Sequence, residues 1–217
     1  MVKLNSRVHA SQSIRGVYAI TDPDLISDSE LIDKVQAAIK GGISVLQYRN
    51  KKADILLQRS QAQALNELCH QHQVTFIIND NIELAQQVNA KGVHIGKDDG
   101  SIEKARETLG KESIIGVSCY NDIERAIRAQ NAGADYVAFG RFFPSKTKPK
   151  AIQANLNLIK QAKEKLNIPI VAIGGINEVN IEQLSDCSVD AVAIIHDIFS
   201  HKNIAAHCQK LKTLFNN

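Results

Sequence analysis

The amino-acid sequence predicts a single-domain (β/α)8 TIM barrel, in the α/β class. Three observations predict it. Short apolar runs alternate with helical patterns along the whole 217 residues, as eight strand–helix units. The runs are continuous rather than alternating, as in parallel strands covered on both faces. No break in composition separates the units, so they form one closed architecture rather than two domains. A doubly wound open sheet is the alternative arrangement of the same alternation.

Taken in order, residues 1–15 carry Lys3, Arg7 and Arg15 without an acid and lack the apolar run of a secretory signal. They read as a leader segment packed outside the first strand, with the catalytic barrel domain at 16–217. The first strand is expected at 16–21, stopped by Asp22 and Pro23. Ser27 and Glu30 have capping-box spacing. Leu31, Val35, Ala38 and Ile39 then recur with helical period until Gly41 and Gly42. Strands are expected at 43–48, 74–78, 92–95, 114–118, 136–139, 170–173 and 189–195. Helices are expected at 53–72, 82–88, 101–109 with Ser101 as cap, 123–132, 154–166, 179–184 and 204–215.

Composition narrows the function. A net charge of +3 from 26 basic and 23 acidic residues shows no basic excess of the kind a nucleic-acid binder carries. No apolar run approaches the roughly 18 residues of a membrane span. Four cysteines at wide spacing, with no CxxC, form neither a disulfide framework nor a metal motif. They read as reduced thiols of a cytoplasmic protein. Oligomeric state stays open, a homo-oligomer included.

In this fold the chemistry gathers at the C-terminal strand ends. Gln47, Arg49 and Lys51 have strand period and are expected to share one face, pointing into the mouth. A guanidinium fork and an ammonium point charge both suit phosphate oxygens. Asn79, Asp80 and Asp99 lie on adjacent strand ends, and this acidic set beside cations suits Mg2+ bridging to a phosphorylated substrate. Spacing alone does not separate Asp98 from Asp99, and Asp80 has an alternative role as cap of the helix at Ile82. After the sixth strand, the loop through Ser145, Lys146, Thr147 and Lys148 presents hydroxyls and ammonium groups to an anion. Gly174 and Gly175, with Ile195 and His196, occupy the place where barrels hold phosphate on main-chain amides. His70 and His72 cannot chelate together from one helix. His9, His201 and His207 read as surface residues.

These residues, in this order, resemble the thiamine-phosphate synthase family from Gly16 to about Phe199. The resemblance is carried by the first strand through Asp22, Gln47 to Lys51, Ile78 to Asp80, Gly92 to Gly96 with Asp99, Gly116 to Ser118, the Gly140 to Lys148 loop and Val171 to Ile176. It implies a transferase of thiamine biosynthesis. Such an enzyme condenses 4-amino-2-methyl-5-hydroxymethylpyrimidine diphosphate with a thiazole phosphate, or its carboxylated form, in a magnesium-assisted dissociative substitution that releases pyrophosphate. It further implies that Gln47, Arg49, Lys51, Asn79, Ser118 and Lys148 bind the pyrimidine diphosphate, with Arg49, Lys51, Ser118 and Lys148 acting in catalysis. Asp80 and Asp99 would hold Mg2+. Ser145, Thr147, Gly175, Ile195 and His196 would hold the thiazole phosphate. The chain departs from the common family pattern at Arg141 (usually Pro), Ser145 (Thr), Lys97 (Gln), Cys119 and Tyr120 (Thr and His) and His196 (Ser). A thiazole tautomerase-like isomerase and a non-catalytic phosphate-binding barrel are the rival readings; the metal carboxylates and diphosphate cations have little use in either.

Overall fold

The structure is a computed structural model that describes residues 13–97, 99–144 and 153–216. Eight parallel strands close into a barrel in chain order: β1 Gly16–Ile20, β2 Val45–Tyr48, β3 Thr75–Asn79, β4 Gly92–Ile95, β5 Ile114–Tyr120, β6 Tyr136–Gly140, β7 Ile170–Ile173 and β8 Ala191–Ile194. Pairing of β1 with β8, Tyr18 opposite Ala193, makes the closure. The helices are α1 Leu31–Lys40, α2 Ile55–Gln71, α3 Ile82–Gln87, α4 Ile102–Leu109, α5 Ile123–Ala132, α6 Asn157–Lys165, α7 Glu182–Ser185, α8 His196–Phe199 and α9 Ile204–Asn216.

Strand period sorts the side chains into two cores. Outward residues such as Val17, Leu46, Phe76, Val93, Val137 and Val192 pack under the helices. Inward residues such as Tyr18, Val45, Ile77, Ile114, Tyr136 and Val171 fill the barrel. Ile14 belongs to this inner cluster and is fully buried, so the last residues of the expected leader meet the barrel interior. Residues 1–12 lie outside the described residues.

Local chemistry accounts for the element ends. Ser27 N–H donates to Glu30 Oε2 at 3.3 Å, ahead of a short 3-10 turn that runs into α1. Asp54 accepts from Leu57 N–H at 2.9 Å, so α2 starts at Ile55 rather than at 53. Ser101 caps α4 through Lys104 N–H. α6 and α7 are shorter than expected, and α8 is a turn of helix placed where the sequence predicts none. β5 runs two residues past its expected end, with a register irregularity between Ser118 and Tyr120.

Candidate active site

A cavity of about 280 Å³ opens at the C-terminal ends of the strands. Its floor is a chain of buried polar groups that crosses the barrel. Gln47 Nε2 donates to the Tyr18 hydroxyl at 2.9 Å, and that hydroxyl meets the Tyr136 hydroxyl at 2.9 Å. Tyr136 Oη lies 2.9 Å from His94 Nδ1, and His94 Nε2 lies 2.9 Å from Ser118 Oγ. Five strands contribute one link each. No buried side-chain polar atom among the described residues lacks a partner, as a sealed network requires. Burial pushes both tyrosines well above the usual phenol range, so they stay protonated donors. The Ser118–His94 contact has the spacing of a nucleophile and its base. The outer ring nitrogen meets a phenol, however, and not the carboxylate that would stabilise an imidazolium.

The sequence reading assigned no role to Tyr18, Tyr136 or His94, although His94 stands at the rim end of the fourth strand. Their signal was present: each is a polar-tipped side chain at an inward position of an otherwise apolar strand, where its polar atom must find a partner.

Of the expected diphosphate residues, Gln47, Arg49, Asn79 and Ser118 all line the cavity. Arg49 is held from behind. Its N–H donates to Thr21 Oγ1 at 2.8 Å, and the Thr21 hydroxyl returns a hydrogen bond to the Arg49 carbonyl at 3.1 Å. The Ser118 carbonyl accepts from Arg125 Nε at 2.8 Å, which pins the irregular end of β5 to α5.

Lys51 departs from its expected inward face. β2 ends at Tyr48, so strand parity no longer governs position 51. Its side chain is 58% exposed, and Nζ lies 2.5 Å from Asp80 Oδ2 at the rim. Asp80 does not cap α3, because Asn81 accepts from Leu84 N–H in that role. Its carboxylate therefore faces Lys51 and Asp99. Gly96 N–H donates to Asp99 Oδ2 at 3.0 Å. Burial raises the Asp99 pKa, and the hydrogen bond and charge of Asp80 raise it further, against the opposing pull of Gly96 N–H and Lys51. Two carboxylates in contact repel unless a proton or a cation lies between them. Among the described residues no group of three or more His, Cys, Asp or Glu forms a metal cluster.

The opposite wall includes the bare main chain of Gly174 and Gly175. Gly174 and Gly175 both have positive φ, +103° and +69°. A Cβ on Gly175 would fall 2.6 Å from the Phe143 carbonyl oxygen. Only glycine leaves room for the segment after β6 at this point. Gly175, Ile195 and His196 line the cavity as expected, together with Arg141, Asn177 and Asp197. Ile20, Ala138, Val171 and Ile173 supply apolar walls. Ser145, Thr147 and Lys148, and Asp98 as the rival of Asp99, lie outside the described residues. His207 corrects an expectation. It is 5% exposed rather than at the surface, because it lies on the same stripe of α9 as Ile204 and Leu211.

The family profile described as "Thiamine monophosphate synthase" matches residues 17–198. The thiamine-phosphate synthase of Nitrosococcus oceani is 50% identical over 196 residues, covering 90% of this chain and 90% of the relative. That of Alcanivorax borkumensis is 47% identical over 205 residues, covering 93% and 94%. Among solved structures, the thiamine phosphate pyrophosphorylase from Pyrococcus furiosus superposes with a TM-score of 0.86 at 30% identity, covering 94% of this chain and 97% of its own.

Proposed function

The chain belongs to the thiamine monophosphate synthase family of thiamine biosynthesis, and from that premise we propose how its barrel mouth works. It joins 4-amino-2-methyl-5-hydroxymethylpyrimidine diphosphate to 4-methyl-5-(2-phosphoethyl)thiazole, or its carboxylated form, and releases pyrophosphate. The observation that carries this reading is the pairing of two unlike walls across one cavity. Arg49 and Asn79, with Lys51, Asp80 and Asp99 at the rim beside them, form an ionic wall at β2–β4. Gly174 and Gly175 with Ile195 and His196 form a main-chain wall at β7–β8.

The bond between the pyrimidine methylene and the diphosphate oxygen breaks, and its electron pair leaves with pyrophosphate. The thiazole nitrogen then bonds to the methylene carbon, so the protein need supply no nucleophile. Its task is to hold donors where charge develops on the leaving group. Arg49 offers a planar two-pronged contact and Lys51 a point charge. Asn79 adds an amide donor. Ser118, oriented by His94, contacts the pyrimidine or the leaving group. Gln47, fixed by Tyr18, lies at the pyrimidine end. The apolar residues around the mouth exclude water, which strengthens each of these contacts.

Asp80 and Asp99 fit a hard divalent cation, since Mg2+ takes one or two carboxylates together with phosphate oxygens and water. When bound, Mg2+ would supply charge neutralisation on the departing pyrophosphate. On the family resemblance, Lys148 also serves the pyrophosphate, and Ser145 and Thr147 serve the thiazole phosphate with Gly175, Ile195 and His196. A cytoplasmic location belongs to the same reading, supported by four free thiols. Among the described residues no helix is long and apolar enough to cross a membrane.

The test is direct. Protein, both substrates and Mg2+ are incubated together, and thiamine phosphate is measured. The expected result is product formation that EDTA abolishes and added Mg2+ restores. Asp80→Ala should lower kcat by about 10²–10³-fold, the scale of losing one preorganised electrostatic contact. Folded protein that makes no product would reject the reading.

A further inference from the structure

The helix that closes the ring carries a buried imidazole outside the site described above. His207 Nε2 lies 2.7 Å from Asp197 Oδ2, and its Nδ1 lies 3.9 Å from Glu178 Oε2. The ring stacks on His201 at 4.1 Å between centroids, with planes 6° apart. Lys210, one turn further along α9, holds Glu178 at 2.7 Å. The two carboxylates come from different places. Glu178 follows Asn177 in the loop after β7, where Asn180 Nδ2 donates to the Gly175 carbonyl at 2.9 Å. Asp197 follows His196 directly after β8 and lines the cavity. Two side chains of α9 thus reach the two wall segments, His207 the one after β8 through Asp197 and Lys210 the one after β7 through Glu178.

We propose that His207 is a positioning residue for recognition of the thiazole phosphate. The inference rests on the reading that the β7–β8 wall binds that phosphate. Main-chain donors recognise an anion well only when their directions are set before it arrives. Donors on unanchored loops must be ordered by the ligand, and that ordering weakens binding. The segment after β7 has a local anchor in Asn180, whereas α8 is a single turn and Asp197 is held from outside by His207. His207 touches no substrate. It acts through Asp197 on the backbone beside it.

A merely structural imidazole would change stability, or both substrates alike, whereas a positioning one acts on one substrate. The experiment compares wild type with His207→Phe, which keeps the ring packing but loses the N–H, and with His207→Gln, which keeps a donor. Steady-state kinetics are run with each substrate varied in turn, and with the thiazole alcohol that lacks the phosphate. The expected result for His207→Phe is a KM for thiazole phosphate raised at least about tenfold. The KM for pyrimidine diphosphate and kcat stay within about twofold. Discrimination against the alcohol shrinks, and His207→Gln recovers part of it. An unchanged KM for thiazole phosphate, or an equal rise in both KM values, would overturn the proposal.

Should His207→Phe not fold, Asp197→Ala cuts the same bond from its partly exposed side. Loss of a carboxylate beside an anion site lowers KM by charge alone, so a rise supports positioning, and no change or a fall refutes it. Gly175→Ala separates the two levels of inference. If it leaves the KM for thiazole phosphate unchanged, the wall itself has been misread. If it raises that KM and the His207 variants do not, the positioning role alone fails.

Discussion

At the scale of the residue, the central group is the Tyr136 hydroxyl. It bridges Tyr18 and His94, so its loss removes a hydrogen bond from each of two buried polar groups at once. Two hydrogen bonds at about 0.5–1.5 kcal/mol each amount to about 1–3 kcal/mol. Tyr136→Phe should therefore lower the unfolding free energy by that amount in urea titration. It should also lower turnover, because Ser118 is oriented through His94. A variant as stable and as active as wild type would show that the network has no such role. Single-residue legibility in the sequence followed strand parity. Gln47 and Arg49 line the cavity as their spacing predicts, and Asn79 and Ser118 line it from their strand ends. Lys51 did not follow, since it lies beyond the end of β2, where its orientation comes from Asp80. His207 was read from residue type alone, although it lies in helical register with Ile204 and Leu211. That register was the better guide.

At the scale of the element, β5 and β6 shape the floor. Gly116 faces the Tyr136 ring, and a Cβ there would overlap it. Gly116→Ala must displace the ring and with it both hydroxyl contacts. Overpacking of this kind costs about 1–3 kcal/mol, which in a chain of this length lowers Tm by roughly 2–4 °C per kcal/mol. Calorimetry checks it, and an unchanged Tm would mean that the ring has room to move. Apolar runs located all eight strands. The ends of elements were less legible where a side chain outside the pattern sets them, as Asp54 does for α2. The irregular end of β5 is set by tertiary contacts, among them Arg125 to the Ser118 and Gly96 carbonyls. α8 follows from the packing of Ile198 and Phe199 into the outer core.

At the scale of the whole molecule, the barrel has two separate interiors, and the cysteines report on the outer one. Cys69, Cys119 and Cys208 are fully buried between strands and helices, and burial pushes each thiol up to about 12. A raised pKa keeps them in the unreactive thiol form throughout the neutral range. Cys187 is half-buried. Titration with a disulfide reagent near pH 8 should find one fast thiol in native protein and all four after denaturation. Two or more fast thiols would show that the helical layer opens readily. By itself the sequence determined the barrel, its strand order and the ionic character of the mouth. These follow from period and composition, which are local properties of a chain. The tertiary structure alone decided which polar groups meet: the five-link floor, the Lys51–Asp80–Asp99 rim and the tie from His207 to the β7–β8 wall. Each joins residues far apart in the chain, and only closure of the barrel sets the distances between them.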